Sequence, residues 1–406
     1  MQIRDRRAGP SSQSASCRPE TKLRQAPTLN DKVVFLSRAD SYGLRGQVGR
    51  RETHMSWVFL AGKRAYKLKK PVRFPYLDFS TLARREAACR AELRLNRRLS
   101  PDVYIGVMPL VWQEGALAIG GKGVVVDWLV VMRRLDEQAT LERALIAQRL
   151  DNAQVERVAG TLSRFFRRAR PVFAAPAGRL AEWRRALNDD RQVLLHSGFP
   201  LTTGLVRRID RTQRRFLDRA RHLLARRLRQ RRVVDGHGDL RPEHVWLADS
   251  VKIIDCLEFN AALRAVDAMD EIAFLDLECE RLGGAWAGRE LRAQIGRALH
   301  DSIPDPLFRF YRCHRAMLRA RLAAAHLPGP EPASAAKWIG LARAYLELAA
   351  ADARHLETAL RTRAGRRGRA LGAGGGSPRR AAAPPARRPA SRARARGRAG
   401  TAAHCR

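Results

Sequence analysis

His237-Gly-Asp-Leu-Arg-Pro-Glu-His244, followed by Val251-Lys-Ile-Ile-Asp255, is the stretch on which the reading of this chain turns. A short β-rich run, Val233-Val-Asp235, leads into a loop carrying Asp239. His244 to Leu247 and Val251 to Asp255 flank the turn at Ala248 to Ser250, which reads as a tight apolar hairpin ending on a second carboxylate. Two carboxylates at the mouth of one hairpin suit a divalent cation and a substrate hydroxyl. Each Asp alone reads as an ordinary surface turn; the pair, joined by apolar strands, points to chemistry.

The flanking sequence has two characters. Upstream, Trp57-Val-Phe-Leu60 and Ala65-Tyr-Lys-Leu68 around Gly62-Lys63 predict a hairpin. Ser80 or Thr81 caps a helix to about Leu99, and Val107–Trp112 with Val124–Met132 predict a second hairpin across a Gly-rich connection. Downstream, helical periodicity runs from Thr140 to Arg170, Ala181 to Arg229, and Ala262 to His355. This order predicts a two-lobed α+β layout. Residues 1–30, with Pro10, Pro19, Pro27 and clustered Ser, predict a disordered leader. Residues 361–406 are an Arg/Ala/Gly/Pro tail that cannot pack a core.

The 406 residues carry 78 Lys+Arg and 40 Asp+Glu, a net charge of +38. Fourteen of those positive charges sit in residues 361–406, leaving +24 spread over residues 1–360. Such charge suggests non-specific nucleic-acid binding through the tail, but aromatics are only 6%, too few for a stacking platform. The six Cys form no CxxC pair and no zinc spacing, so free thiols are expected over disulfides. No apolar run approaches a membrane span and the basic start lacks an apolar segment, which predicts a cytoplasmic protein without a membrane partner.

HGDLRPEH with IIDCLEF resembles the catalytic and metal-binding segments of the aminoglycoside phosphotransferase-like kinases, small-molecule relatives of the protein kinases. The resemblance extends through Glu52-Thr-His-Met-Ser-Trp-Val-Phe-Leu60, Tyr66-Lys-Leu-Lys-Lys-Pro71 and Glu92-Leu-Arg-Leu-Asn-Arg-Arg-Leu99, covering about residues 45–325. It implies a protein-kinase-like fold, with a nucleotide-binding N-lobe over 31–136 and a C-lobe over 137–360 holding the catalytic loop, metal site and acceptor pocket. It implies ATP and Mg²⁺ as cofactors and a small-molecule acceptor, such as an amino sugar, amino alcohol or sugar. Asp239 would accept or orient the hydroxyl proton, and Asp255 would hold Mg²⁺. Lys67 would contact the α/β-phosphates and Glu92 would pair with it. Thr53, His54, Met55 and Ser56 would turn over the phosphates, and Met132, Arg133, Arg134 and Leu135 would form the hinge that bonds adenine.

The helix pattern supports the Lys67–Glu92 pair on its own, because Glu92 shares the apolar face of Ala88, Leu95 and Leu99. A carboxylate there needs a partner. Lys69 lies on the same strand face as Lys67, so it competes, and Glu86 could take the place of Glu92.

The departures from the family are equally specific. His244 stands where the family has an Asn metal ligand; imidazole suits Mn²⁺ better than Mg²⁺, so His244 binds Mn²⁺, binds through water or leaves a site empty, or the adjacent Glu243 supplies the oxygen instead. No GxGxxG is present, so backbone amides of Thr53–Ser56 must serve the phosphates. In Val266-Asp-Ala-Met-Asp-Glu-Ile-Ala273, Glu271 replaces an Asp, and Asp267 reads as a helix cap or loop buttress rather than a ligand. His237 reads as structural, Arg241 as either phosphate-neutralising or exposed, His54 as either nucleotide-facing or solvent-facing. The Arg-rich stretch Phe308–Arg321 reads as a solvated face. Residues 255–280 hold eight acids against Arg264, which predicts an acidic acceptor wall attracting a cationic acceptor.

No GxxxxGK[ST] loop occurs, although relatives in this branch often carry a P-loop ATPase domain after the kinase-like one. The tail is a basic arm or a shifted reading frame. Two other functions stay open: a nucleotide-binding pseudokinase-like module, motivated by His244, and a basic nucleic-acid-binding protein.

Overall fold

A computed structural model describes residues 26–196, 200–326 and 332–372, without the side chains of 332–334 and 363–372. The chain divides into two compact units, residues 1–360 and 361–406. The first unit has two lobes.

The N-lobe contains α1 (Leu29–Leu36), β1 (Gly49–Glu52), β2 (Ser56–Ala61), β3 (Arg64–Lys69), the short pair β4 (Arg73–Phe74) and β5 (Leu77–Asp78), α2 (Leu82–Asn96), β6 (Tyr104–Gln113), β7 (Ala116–Ile119) and β8 (Val124–Arg133). Six strands form one sheet in the order β1-β2-β3-β8-β6-β7, with antiparallel neighbours throughout. Gly62, at φ +54°, turns β2 into β3. Strand alternation sorts β3. Tyr66 and Leu68 enter the core with Val33 and Leu36 of α1. Ala65 enters a second core with Cys89 of α2, and Lys67 and Lys69 share its face. Thr81 caps α2 by accepting the Arg84 N–H.

Three details differ from the sequence reading. The predicted second hairpin is a three-stranded meander, because the Gly-rich connection holds β7, which pairs with β6 at the sheet edge. Leu29 and Asn30 belong to α1, whose Thr28–Asp31 capping box starts it inside the expected leader; the rest of the leader, up to residue 25, lies outside the described residues. At the other end, α11 continues to Gly372, past the expected start of the tail, and residues 373–406 lie outside the described residues.

The C-lobe contains α3 (Leu141–Ile146), α4 (Asn152–Arg168), α5 (Pro176–Leu194), α6 (Thr203–Arg229), β9 (Val233–Asp235), β10 (Val245–Trp246), β11 (Lys252–Ile253), α7 (Ala261–Arg264), β12 (Ala265–Asp267), α8 (Ala268–Arg281), α9 (Ala285–Ala298), α10 (Asp305–Ala324) and α11 (Pro332–Gly372). Its helices share one large apolar core. Two small antiparallel pairs, β9–β12 and β10–β11, sit among them and carry the loops of interest. The fold is α+β and protein-kinase-like: a β-rich lobe with one long helix, then a helical lobe with an embedded hairpin. Among the described residues no helix is long and apolar enough to cross a membrane. Cys89, Cys256, Cys279 and Cys313 are buried free thiols.

Candidate functional site

The site forms where β3, α2 and the β10–β11 hairpin meet. Lys67, opposite Val58 and Val130 in the sheet, points toward α2. Its Nζ lies 2.9 Å from Glu92 Oε1 and 2.8 Å from Asp255 Oδ1. The two lysines do not compete: Lys69 Nζ takes the other Glu92 oxygen at 2.6 Å and also pairs with Glu258. Burial raises the Glu92 carboxyl, but Lys67 and Lys69 outweigh it and hold it below the usual range. Burial likewise opposes the charge on Lys67, and Asp255 and Glu92 overcome it. Asp255 is held far below the usual carboxylate range, chiefly by Lys67. Glu86 instead pairs with Arg90 on the outer face of α2.

Asp255 sits at φ +65°, a left-handed conformation that a non-glycine residue adopts only when its surroundings impose it. Here they do. Asp255 N–H donates to Tyr104 Oη at 3.3 Å, and Cys256 N–H donates to Asn96 Oδ1 at 2.9 Å. Ser100 Oγ donates to Ile253 O at 2.8 Å and accepts the Ile253 N–H at 2.9 Å. Glu92, Asn96 and Ser100 are all fully buried, and each is four residues from the next. One stripe therefore clamps Lys67 and both sides of Asp255. Asn96 and Ser100 escaped the sequence reading, although the four-residue spacing of polar side chains along an apolar face was the available signal.

The Asp239 loop is held from below by Glu271, which accepts the N–H of His237 at 3.0 Å and that of Gly238. Burial pushes this carboxyl up to about 7, against the two N–H bonds. A Cβ at Gly236 would lie 2.7 Å from Glu271 Oε2, so glycine is required for this approach. His237 is structural, as expected: its Nδ1 accepts the Asp239 N–H at 3.3 Å, which leaves Nε2–H to donate to Ile254 O at 3.0 Å. Burial, with His244 adding to it, lowers its pKa to about 4, so it is neutral.

Burial would raise the Asp239 carboxyl, but Arg241 and His244 more than offset it and keep it ionised. Arg241 lies 3.0 Å from Asp239 Oδ2 and also pairs with Glu243, so it is a half-buried bridge and not an exposed arginine. His244 Nδ1 bonds Asp239 O at 2.9 Å, which requires an N–H there and turns Nε2 toward Asp255 Oδ2 at 3.6 Å. A divalent cation here would have Asp255 and His244 as protein donors. No group of three or more His, Cys, Asp or Glu among the described residues is placed to enclose a metal. Asp255 fits a Mg²⁺ completed by phosphate oxygens and water, whereas His244 Nε2 is an imidazole nitrogen that also faces Arg241 Nη2 at 3.3 Å and so suits a direct Mg²⁺ contact poorly.

The expected phosphate turn joins β1 and β2, but it is largely self-bonded. Thr53 N–H donates to Ser56 O at 2.8 Å, and Met55 and Ser56 N–H donate to Thr53 Oγ1 at 3.4 and 2.9 Å. Three of its four amides are thus already engaged. The His54 ring faces His326, just past α10, at 2.8 Å between Nε2 atoms. In the expected hinge, Arg133 N–H donates to Val103 O at 2.8 Å and Arg134 N–H to Lys63 O at 3.0 Å, so neither donor is open to adenine. Met132 and Leu135 instead pack with Ala65, Val130 and Ile254 into one apolar shelf at the lobe junction. Ala65 and Ile254, neighbours in sequence of the charged positions, were the missed half of that shelf.

The acidic wall is absent, and the Arg-rich helix is not a solvated face. The two stretches are each other's partners. Arg315 of α10 pairs with Asp270 of α8 through Nε and Nη2 at 2.9 Å each. Arg312 pairs with Asp276, Glu280 and Asp352. Arg319 and Arg281 hold Glu278 at 3.3 and 2.7 Å, and Tyr345 donates to it. Asp267 caps α8 by accepting the Met269 N–H at 2.9 Å and pairs with Arg227 at 2.6 Å. Glu258 belongs to Lys69 and Glu271 to the Asp239 loop. Every acid of residues 255–280 has an internal partner.

No family model matches the chain. It is 33% identical over 289 residues to the uncharacterized protein Rv2004c of Mycobacterium tuberculosis (strain ATCC 25618 / H37Rv) and, to the same extent, to the uncharacterized protein Mb2027c of Mycobacterium bovis. The match takes in 70% of this chain and 56% of each relative, so the chain spans little more than half the length of these curated relatives. Among solved structures it is similar to a choline/ethanolamine kinase family protein from Mesorhizobium loti, with 14% identity, 80% of this chain and 98% of that one covered, and a TM-score of 0.45. It is also similar to a thermostable mutant of the aminoglycoside phosphotransferase APH(4)-Ia, with 12% identity, 77% and 98% coverage, and a TM-score of 0.46. A GDP and kanamycin complex of APH(2'')-IIia matches at 13% identity, 79% and 98% coverage, and a TM-score of 0.43. In its fold and in its Lys67, Glu92, Asp239 and Asp255 constellation, the chain resembles the aminoglycoside phosphotransferase-like, protein-kinase-like family.

Proposed function

We propose that this protein is an ATP-dependent phosphotransferase of that family, moving the γ-phosphoryl group to a hydroxyl of a small molecule. The observation that carries the reading is Lys67, bridging Glu92 in the N-lobe and Asp255 on the C-lobe hairpin at 2.9 and 2.8 Å. A shared cation in a cleft between two carboxylates is positioned to release one of them to a cation–nucleotide complex. Lys67 then meets the phosphates, with Glu92 fixing its direction. Asp255, with His244 beside it, would hold the divalent cation, which would neutralise phosphate charge. The shelf of Ala65, Met132, Leu135 and Ile254 takes the base.

Transfer forms the bond from acceptor oxygen to γ-phosphorus, breaks the bond from γ-phosphorus to the β-bridging oxygen, and passes the hydroxyl proton to Asp239, releasing ADP. Asp239 is ionised and therefore a weak base. Its role is to orient the hydroxyl and take the proton late in the reaction. Positioning and charge neutralisation supply most of the rate.

A second reading, nucleotide binding without turnover, is supported by the Arg241–Asp239 ion pair and by His244 in the metal position. The test is metal-dependent ATP turnover across aminoglycosides, sugars, amino alcohols and polyols, with Asp239→Ala as control. Transfer that Asp239→Ala abolishes supports the kinase; nucleotide binding with no transfer to any acceptor supports the second reading.

A further inference from the structure

Behind the cleft lies a cavity of about 890 Å³, between α4, the end of α2 and the β10–β11 turn. One face of α4 forms its side: Ala153, Arg157, Gly160, Arg164 and Arg168 recur at spacings of four, three, four and four. Ala153 and Gly160 add no bulk to the floor, Arg164 Nη1 lies 3.4 Å from where a Gly160 Cβ would sit, and Arg157 and Arg168 line the same cavity. Arg98 also lines the cavity, but its guanidinium is committed to Leu95 O, to Asp235 through both backbone and carboxylate oxygens, and to Gly236 O; the lining acids are Glu156 and Asp249. Elsewhere in the C-lobe the buried arginines are matched to carboxylates. Among the described residues, Arg157, Arg164 and Arg168 have no carboxylate partner, and Arg164 bonds only the Thr161 hydroxyl at 3.2 Å. Exposed guanidiniums without carboxylate partners along one side of a cavity of this size match phosphate oxygens on a small molecule.

Arg98 ties the cavity to the loops in front of it. It donates to Asp235 O and Gly236 O at 2.8 Å each and lies 3.2 Å from Cys256 Sγ, with its guanidinium 5.1 Å over the Phe165 ring. Gly236 leads into the Asp239 loop and Cys256 follows Asp255 directly. We propose that this cavity is an effector site for a phosphorylated small molecule, and that Arg98 couples its occupancy to the Asp239 loop. Arg98 is a positioning residue in this account. The binding half stands whatever the protein's activity; only the meaning of the coupling rests on the catalytic reading of Asp239.

The test is calorimetric titration of glucose 6-phosphate and pyrophosphate into the full chain, at constant ionic strength, with glucose and sulfate as controls. Both phosphates bind while glucose does not, and they bind about tenfold more tightly than sulfate because the sugar or the second phosphate adds contacts that a lone tetrahedral anion lacks. Arg157→Gln/Arg164→Gln weakens them about tenfold or more. Gly160→Leu does the same without changing charge, by filling the floor. Lys67→Ala leaves a site of unchanged affinity. Hydrogen exchange at residues 236–240 slows on adding glucose 6-phosphate to the wild type and does not in Arg98→Lys, which keeps the charge and loses the fork.

The proposal is overturned if neither phosphate binds, if Lys67→Ala removes all binding, or if Gly160→Leu leaves it intact. It is overturned equally if a single-stranded oligonucleotide binds there while the small phosphates do not. Unchanged exchange at 236–240 with bound glucose 6-phosphate overturns the coupling.

Discussion

The cleft and the α8–α10 layer are built from the same materials, acids facing bases, yet they are finished differently. In the layer, Asp270, Asp276, Arg312 and Arg315 have side chains at most 9% exposed, and the arginines engage their carboxylates with several donors. In the cleft, the Asp255 side chain is 46% exposed, Asp239 is 25% exposed, and Lys67 is divided between two acids. A closed pair has no free valence to offer a ligand and serves to align helices. An open, shared pair keeps its charges available for exchange with an incoming phosphate or cation.

Removing a cleft charge should therefore stop chemistry and spare the fold, and the reverse should hold in the layer. Asp239→Asn is expected to lower phosphoryl-transfer turnover by about 10²–10⁴-fold, with an unchanged thermal midpoint. Arg312→Met leaves Asp276 and Asp352 buried without their shared cation; urea unfolding should show a loss of about 3–5 kcal/mol, with turnover per folded molecule retained. If the two phenotypes were exchanged, the distinction between the regions would collapse.

Glu271→Gln sharpens the comparison, because Glu271 is a fully closed group directly beneath the cleft. It places an amide NH₂ against one of two backbone N–H donors, for an expected cost of about 1–3 kcal/mol in denaturant unfolding and a loosened Asp239 loop.

The pH profile is the smaller effect. Burial lowers His237 to about 4 and His314 to about 3, so both are neutral in the fold while the unfolded chain takes up protons below about 6.5. Their contribution is complete above pH 6.5 and is lost as pH falls toward 4 and 3. Glu271, raised to about 7, acts oppositely: its contribution is present below its unfolded value and lost as pH rises through 7. Asp190, packed 3.7 Å from His314 and likewise raised to about 7 by burial, acts with Glu271. In urea midpoints compared at pH 7.5 and 5, Glu271→Gln should therefore shift toward lower stability at pH 5 relative to the wild type.

The sequence carried the cleft further than the layer, for a physical reason. The Asp239 and Asp255 segments are local: loop, hairpin and carboxylate lie within twenty residues, and Lys67 and Glu92 sit on apolar faces that force a partner to be sought. The α8 acids and α10 arginines are separated by some 36–45 residues. Read alone, each is indistinguishable from a solvated face, because a run of like charges looks the same whether water or an opposing run covers it. The same limit hid Asn96 and Ser100, whose partners are the backbone of a hairpin more than 150 residues away. Strand β7 was hidden by glycines that read as a loop, and α1 by a leader whose Thr28–Asp31 box was the start signal.

The most direct test of open charge as the mark of the site is Asp255→Asn, assayed by Mg²⁺·ATP calorimetry alongside its unfolding free energy. Lys67 retains Glu92 in this variant, so the fold should keep its stability to within about 1 kcal/mol, as expected of partly exposed pairs. Metal-dependent nucleotide affinity should fall by about tenfold or more. Undiminished Mg²⁺·ATP binding in a destabilised protein would contradict the account, because Asp255 would then be a structural charge like those of the α8–α10 layer.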